Sequence, residues 1–389
     1  MKNENPNFDF YSFNNPGNDE NKSGTASPAT DNGIAPDDSA APGLGEAADP
    51  TAIPVPPDEL TPEQVGARQR SARRSLTRLG LGMVILLACW IGGQLITQIA
   101  IALADPSLLR NNVVLLLTSS LPLYLVGMPV FYLTVRGLPR AVPKKEKTSF
   151  LALVILFLIA VALMIAGNLA GNWIMRILGA LSGRDFSNML EQAFDTPLWF
   201  SILFTVILAP VLEELIFRKV LVDRLRPFGE EMAMVLSGLL FGAFHGNFYQ
   251  FFYASAIGML LAYVYMRSGK LRCNIGLHML INFIGGILPT VLSDALGYDE
   301  FISLETPEEV TAYIMAHLTP YVLFIAYQFL LYGMALAGLV LLCVFARKME
   351  FERQVCELPK GQSSRIFFSS WGMLLLLAAY IGLFALQMV

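Results

Sequence analysis

Long apolar stretches dominate this chain and restrict what it can fold into. Several blocks of about 20 residues carry almost no charge, and a helix of that length crosses roughly 30 Å of hydrocarbon. Charged residues make up only 15% of the 389 residues, against about a quarter in soluble proteins. The sequence therefore predicts an all-α, polytopic transmembrane helix bundle of about eight or nine spans. The candidate spans are 80–104, 113–135, 149–175, 198–217, 232–249, 250–266, 274–293, 318–346 and 366–388.

The segment before the first apolar block has a different composition. Residues 1–66 are rich in Asn, Asp, Pro, Gly, Ala and Ser and hold almost no aliphatic clusters. Such a segment cannot bury enough apolar area to offset the entropy of ordering it. We expect a disordered cytoplasmic tail there, or alternatively a docking segment. The other predicted divisions are N-terminal transmembrane helices over 67–194, a transmembrane core over 195–295, and an outer loop with C-terminal transmembrane helices over 296–389.

Lys and Arg are concentrated in alternate loops. They cluster before the first span and after the second, fourth, sixth and eighth, whereas the stretch 294–317 holds six acidic residues and no Lys or Arg. By the positive-inside rule, this alternation fits nine spans with the N-terminus in the cytoplasm and the C-terminus outside. We expect the protein to be integral to a bacterial cell membrane.

Two adjacent glutamates stand in the predicted fourth span, near its cytoplasmic end. Ionisable groups at membrane depth are costly and are therefore functional candidates. Glu214 and Arg218 are four residues apart, which puts them on one helix face in the favourable order for an ion pair. Glu213 is then left without a partner in its own helix, which suits a general base. Pro210 cannot donate to the carbonyl of Val206 and predicts a kink just before the pair. The alternative is a helix end whose charged side chains reach the interface.

Two of the three histidines lie in predicted spans. His245 stands in the fifth span among glycines and polar residues, and the glycines permit close helix approach. His278 and Asn282 are four residues apart in the seventh span, so they share one face and can aim two donors at one point. The alternatives are a satisfied core histidine and a polar contact between helices. Taken together, a Glu, two His and an Asn can activate water and stabilise an oxyanion.

The three motifs resemble the pattern of the CPBP family, the CAAX-protease and bacteriocin-processing intramembrane proteases, to which type II CAAX prenyl endopeptidases belong. The motifs are Glu213-Glu214-x-x-x-Arg218, Phe241-x-x-x-His245 and His278-x-x-x-Asn282. The resemblance covers roughly 195–295 and implies a CPBP-like catalytic core there. It also implies a helix bundle around a catalytic cavity that is open to the membrane and the cytoplasm.

The resemblance also implies roles for these residues. Glu213 would activate the attacking water with help from His245, and His278 and Asn282 would stabilise the oxyanion. Glu214 and Arg218 would support the helix. Zinc is a possible cofactor, with Glu213, His245 and His278 as its ligands. However, the HExxH motif is absent and Glu213 would then also be a ligand, so a metal-free mechanism is slightly favoured.

We therefore predict an enzyme, an intramembrane endopeptidase that hydrolyses membrane-associated proteins or peptides by water activated through glutamate and histidine. The expected partners are such a substrate and the lipid bilayer, with no nucleic acid. One alternative is a non-enzymatic membrane scaffold, or a bacteriocin-immunity-type protein, that keeps the same fold. A transporter is less favoured because the sequence shows no internal repeat.

Overall fold

The structure is a computed structural model that describes residues 59–184, 186, 196–359 and 361–387. Every regular element in these residues is a helix. Two short helices, Tyr298–Ile302 and Pro307–Ala316, connect the seventh and eighth long helices. In chain order the main helices are α1 (Pro62–Ala104), α2 (Asn112–Val135), α3 (Phe150–Ser182), α4 (Leu198–Phe228), α5 (Glu230–Phe244), α6 (Phe248–Ser268), α7 (Leu271–Leu296), α8 (Leu318–Arg347), α9 (Gln362–Ser369) and α10 (Trp371–Leu386).

Within these described ranges, seven helices are long and apolar enough to cross a membrane. Helices α9 and α10 meet at a bend of 76° and add an eighth span if they act as one. The predicted all-α membrane bundle is therefore confirmed. It has seven or eight candidate spans, where about eight or nine were predicted. The predicted span that is missing from this set is 232–249, which corresponds to α5. It has 15 residues, about 22 Å of helix, which is shorter than the roughly 30 Å hydrocarbon layer.

Helix α1 begins inside the segment that was predicted to be a disordered tail. The Thr61 hydroxyl accepts a hydrogen bond from the Gln64 backbone, and the Gln64 side chain accepts one from the Thr61 backbone. This capping box, followed by Pro62 at the first helical position, is a strong helix start. The ordered chain therefore begins before the predicted boundary at residue 66. The predicted tail up to residue 58 lies outside the described residues.

The loops that are rich in Lys and Arg meet at one end of the bundle. The Glu146 amide, in the loop after α2, donates to the Ser268 carbonyl at the end of α6. Arg226, at the end of α4, pairs with Glu352 in the loop after α8, 2.8 Å away. We call this end the basic end. Helices α2, α4 and α6 begin at the opposite end and α7 ends there, next to the loop 297–317. We call that end the acidic end.

Helices α4 and α5 form a hairpin whose turn lies at the basic end. Gly229 makes the turn with φ +132°, a conformation that side chains other than glycine rarely adopt. Glu213 stands 16 residues before Gly229 and His245 stands 16 residues after it, so each is about 24 Å from the turn along its helix. Because α4 continues to Phe228, Glu213 lies in the middle of the helix. The expectation that it lies near the helix end is wrong.

Glycines bring α5 and α6 close together and thereby fix the position of His245. A Cβ on Gly238 would lie 2.8 Å from the Ser255 carbonyl oxygen, and one on Gly242 would lie 2.8 Å from the Ser255 amide nitrogen. Any larger residue would push the two helices apart. Gly246 then ends the helical turn with φ +67°.

Candidate active site

A cavity of about 580 Å³ runs from the middle of the bundle towards the acidic end. Helices α2 to α7 all contribute to its wall. The four residues that the sequence predicts as catalytic all line it: Glu213, His245, His278 and Asn282. The fold thus brings together side chains from α4, the end of α5 and α7, which are up to about 70 residues apart in sequence.

Glu213 and His278 face each other across the inner part of this cavity. The Glu213 Oε2 and His278 Nε2 atoms lie 3.7 Å apart, and the Glu213 side chain keeps 14% of its surface exposed. The neighbouring Glu214 side chain is 0% exposed. Glu213 therefore lines the cavity and Glu214 does not, as expected for adjacent residues, which point about 100° apart around a helix.

Glu214 lies in a fully buried polar cluster behind the cavity wall. Its carboxylate pairs with the Arg218 Nε at 3.0 Å, which confirms the predicted ion pair. It also accepts hydrogen bonds from the His278 Nδ1 at 3.1 Å and the Asn274 Nδ2 at 3.2 Å. A buried charge is tolerated when it is paired and hydrogen-bonded in this way. Because an ionised carboxylate only accepts, the His278 Nδ1 carries a proton, and Nε2 is the nitrogen that faces the cavity.

His245 follows the last residue of α5, and its ring orientation is fixed by the backbone. Its Nδ1 lies 2.9 Å from the Phe241 carbonyl oxygen. Because a carbonyl only accepts, Nδ1 is the donor, and in the neutral ring Nε2 keeps a free lone pair. That nitrogen can therefore accept a proton or hold a water molecule.

The Phe241 ring contacts both histidines. It meets the His245 ring edge to face at 5.1 Å and the His278 ring at 5.6 Å. The Arg218 guanidinium lies over the same phenyl ring, 4.9 Å from its centre, at a distance typical of a cation–π contact. Phe241 thus packs against both imidazoles and against the cation of the buried ion pair.

Asn282 lines the cavity next to a π-helical segment of α4. Its Nδ2 donates to the Thr205 carbonyl oxygen at 2.8 Å. The stretch Ile202–Leu208 is a π-helix, in which a carbonyl bonds to the amide five residues later. For Thr205 that residue is Pro210, which has no N–H. The proline that predicted a kink thus leaves the Thr205 carbonyl free for Asn282, whereas a regular α-helix would have freed Val206.

The three proposed zinc ligands do not form a ligand group. Among the residues that the structure describes, no three His, Cys, Asp or Glu side chains are close enough to hold a metal ion. The two ring nitrogens of His278 face the carboxylates of Glu213 and Glu214, and the His245 Nδ1 faces the Phe241 carbonyl oxygen. The residues as arranged therefore do not fit a zinc site.

The sequence prediction missed several contributors to the site. Asn274 is fully buried and joins Glu214 to the Leu261 carbonyl on α6, which accepts from its Nδ2 at 2.6 Å. It stands four residues before His278, the same spacing as Asn282 on the other side, so helical periodicity contained a signal for it. Tyr124 of α2 also lines the cavity, but no local pattern marks it.

Comparisons with known proteins match the part of the chain that contains these residues. Residues 195–284 match the family described as "Type II CAAX prenyl endopeptidase Rce1-like". The chain is 27% identical over 166 residues to the "Putative membrane peptidase YdiL" of Bacillus subtilis (strain 168), a match that covers 41% of this chain and 66% of that protein. No solved structure matches the chain. These findings confirm the predicted resemblance: the α4–α7 region of this integral membrane protein is similar to the CAAX-protease-like (CPBP) family.

Proposed function

We propose that this protein is an intramembrane endopeptidase that cleaves membrane-associated proteins or peptides in a bacterial cell membrane. One observation carries the proposal. Glu213, His245, His278 and Asn282 line a single cavity within a bundle of membrane-spanning helices. Such a cavity can hold water at a depth where a peptide bond of a membrane-bound substrate is otherwise protected from hydrolysis.

In the proposed reaction, the Glu213 carboxylate takes a proton from a water molecule held against His245 Nε2. The water oxygen attacks the carbonyl carbon of the peptide bond. The proton on Glu213 then passes to the leaving nitrogen as the C–N bond breaks. The products are a carboxylic acid, which keeps the second water proton and releases it to solvent or to the amine, and an amine, and Glu213 returns to its starting carboxylate. Every step uses side chains alone, because the three candidate zinc ligands do not form a ligand group.

The oxyanion of the tetrahedral intermediate is stabilised by donors on α7. The amide of Asn282 has a second N–H besides the one bound to Thr205. The His278 Nε2 donates when its ring is protonated, with Glu214 accepting at Nδ1. In the proposed mechanism Glu214 and Arg218 are positioning residues, because they hold the His278 ring in the orientation that presents Nε2 to the cavity.

The test compares the membrane and secreted proteins of cells that carry the wild-type chain with those of cells that carry Glu213→Gln. Mass spectrometry is expected to find an uncleaved precursor in the variant and its fragments in the wild type. Glu231→Gln is the matched control, because Glu231 is exposed at the start of α5 and is expected to behave as wild type. Identical protein profiles at equal expression would contradict proteolysis and favour a scaffold. Cleavage should also survive exhaustive chelation, and loss that added zinc reverses would contradict the metal-free mechanism.

A further inference from the structure

Polar and small residues line one face of α7 along the whole cavity. They recur at every fourth position, and all five line the cavity wall: His278, Asn282, Gly286, Thr290 and Asp294. With a rise of about 1.5 Å per residue, this face extends about 24 Å from the catalytic residues to the acidic end. We call it the α7 track. A short π-helical segment, Phe283–Ile287, interrupts the helix without moving these residues off the cavity.

The middle of the α7 track is open to an incoming backbone. A Cβ added to Gly286 would find no atom within 4 Å, so the helix backbone is uncovered at this step. The Thr290 hydroxyl donates to the Gly286 carbonyl at 2.8 Å, which leaves the oxygen lone pairs of Thr290 available to a ligand. Beside Asn282 the track therefore offers room and hydrogen-bonding groups along an elongated path.

The outer end of the track carries a negative charge. Asp294 is exposed at the rim, and no basic side chain in the described part of the chain pairs with it. Among the described residues, the cavity lining includes two carboxylates, Glu213 and Asp294, and no Lys or Arg. The loop that follows Asp294 also holds no Lys or Arg as far as residue 317. A cation at the rim would therefore meet an attractive field.

We propose that the α7 track binds the substrate as an extended chain, and that Asp294 selects a Lys or Arg about seven residues from the cleaved bond. The spacing follows from the length of the track, about 24 Å, and the rise of an extended chain, about 3.3 Å per residue. This inference rests on the proposed endopeptidase function and adds its substrate class: a peptide segment with a basic residue that enters from the acidic end.

The test uses the full-length protein in liposomes and a set of apolar peptides that differ only in the position of a single lysine. Cleavage products are read by mass spectrometry. The wild type is expected to cut about seven residues from the lysine. Asp294→Lys should lower kcat/KM for these peptides by about tenfold and raise it similarly for peptides with glutamate in place of lysine, because like charges repel across a contact. Asp299→Lys places the same charge outside the cavity and should leave the preference for lysine over glutamate unchanged. Cut sites that ignore the lysine, or an Asp294→Lys protein with wild-type preference, would overturn the proposal.

A second measurement separates this proposal from the proposed function. The Glu213→Gln protein is photo-crosslinked to a peptide with a lysine at one end and a benzophenone side chain seven residues away. Crosslinks are expected around His278. They should be lost when Asp294→Lys is added and should return when the peptide carries glutamate in place of lysine. If these crosslinks form but no peptide is cleaved, the proposed binding along the α7 track is supported and the proposed endopeptidase function is rejected. Crosslinks that do not depend on either charge reject the track.

Discussion

Replacing Arg218 by Met would leave the Glu214 carboxylate without its cation at a site with no exposed surface. The two side chains are 3.0 Å apart and both are 0% exposed. Removing one partner of a buried ion pair costs about 3–5 kcal/mol, because the other charge stays buried and uncompensated. Glu214→Leu leaves Arg218 uncompensated in the same way. It also removes the acceptor for His278 and Asn274, at about 1 kcal/mol for each hydrogen bond.

The double variant, Glu214→Leu with Arg218→Met, contains neither buried charge. It should lose only the two hydrogen bonds and some packing, about 2–3 kcal/mol in total. The single losses are about 3–5 kcal/mol for Arg218→Met and about 5–7 kcal/mol for Glu214→Leu, about 10 kcal/mol together, so the variants should be strongly non-additive, with a coupling of about 7 kcal/mol. Each single loss is a large part of the usual stability of about 5–15 kcal/mol, so it should be easy to measure.

The assay is equilibrium unfolding in mixed detergent micelles with increasing SDS, followed by circular dichroism. Lys219→Met provides a matched control on the same helix, because Lys219 also pairs with a carboxylate four residues away but is 42% exposed. The Asp223 carboxylate is buried but keeps the Tyr265 hydroxyl as a second donor at 2.9 Å, so loss of its solvent-exposed cation should cost only about 1 kcal/mol. Similar losses for the Arg218 and Lys219 variants, or single losses that add within about 0.5 kcal/mol, would refute the reasoning.

Two further predictions concern packing and orientation. Gly242→Ala should destabilise the protein by about 1–3 kcal/mol in the same SDS titration, because a Cβ there would lie 2.8 Å from the Ser255 amide nitrogen. Gly276→Ala, where nothing lies within 4 Å, should not destabilise it, and equal losses would contradict the packing argument. In a cysteine-free background, an impermeant maleimide should label Asp299→Cys in intact cells and Arg353→Cys only after permeabilisation. The reverse pattern would place the acidic end in the cytoplasm.

The features that could be predicted from the sequence are those that depend on one helix alone. The spacing of Glu214 and Arg218 identified their ion pair because residues four apart on a helix always share a face. The contacts of Glu214 with His278 and Asn274 cross between helices, and no local period encodes which helices pack together. Phe241 was visible only as a motif position, and its contacts with both imidazoles depend on how α5 packs against α7.

Element boundaries were harder to predict for a related physical reason. Hydropathy marks where a chain is apolar, and it does not mark where a helix stops. Helix α4 extends beyond its apolar part because Arg224 and Arg226 have partners at the basic end: the Val135 carbonyl accepts from the Arg224 Nε at 2.8 Å, and Glu230 lies 2.7 Å from the Arg226 Nε. Helix α1 likewise begins at its capping box, in a segment whose composition is typical of disorder.

The α4–α5 hairpin also brings two expectations about the cavity into conflict. Because Glu213 and His245 stand at the same distance from the Gly229 turn, the catalytic residues lie deep within the bundle, and the cavity extends from them towards the acidic end. The loop charges favour a cytoplasmic basic end, whereas the family resemblance implies a cavity open to the cytoplasm. These two expectations exclude each other in this fold. Labelling of Asp299→Cys from outside would therefore mean that substrates reach Glu213 from the side of the membrane away from the cytoplasm. Labelling only after permeabilisation would mean that this chain reverses the usual charge rule in order to keep its cavity cytoplasmic.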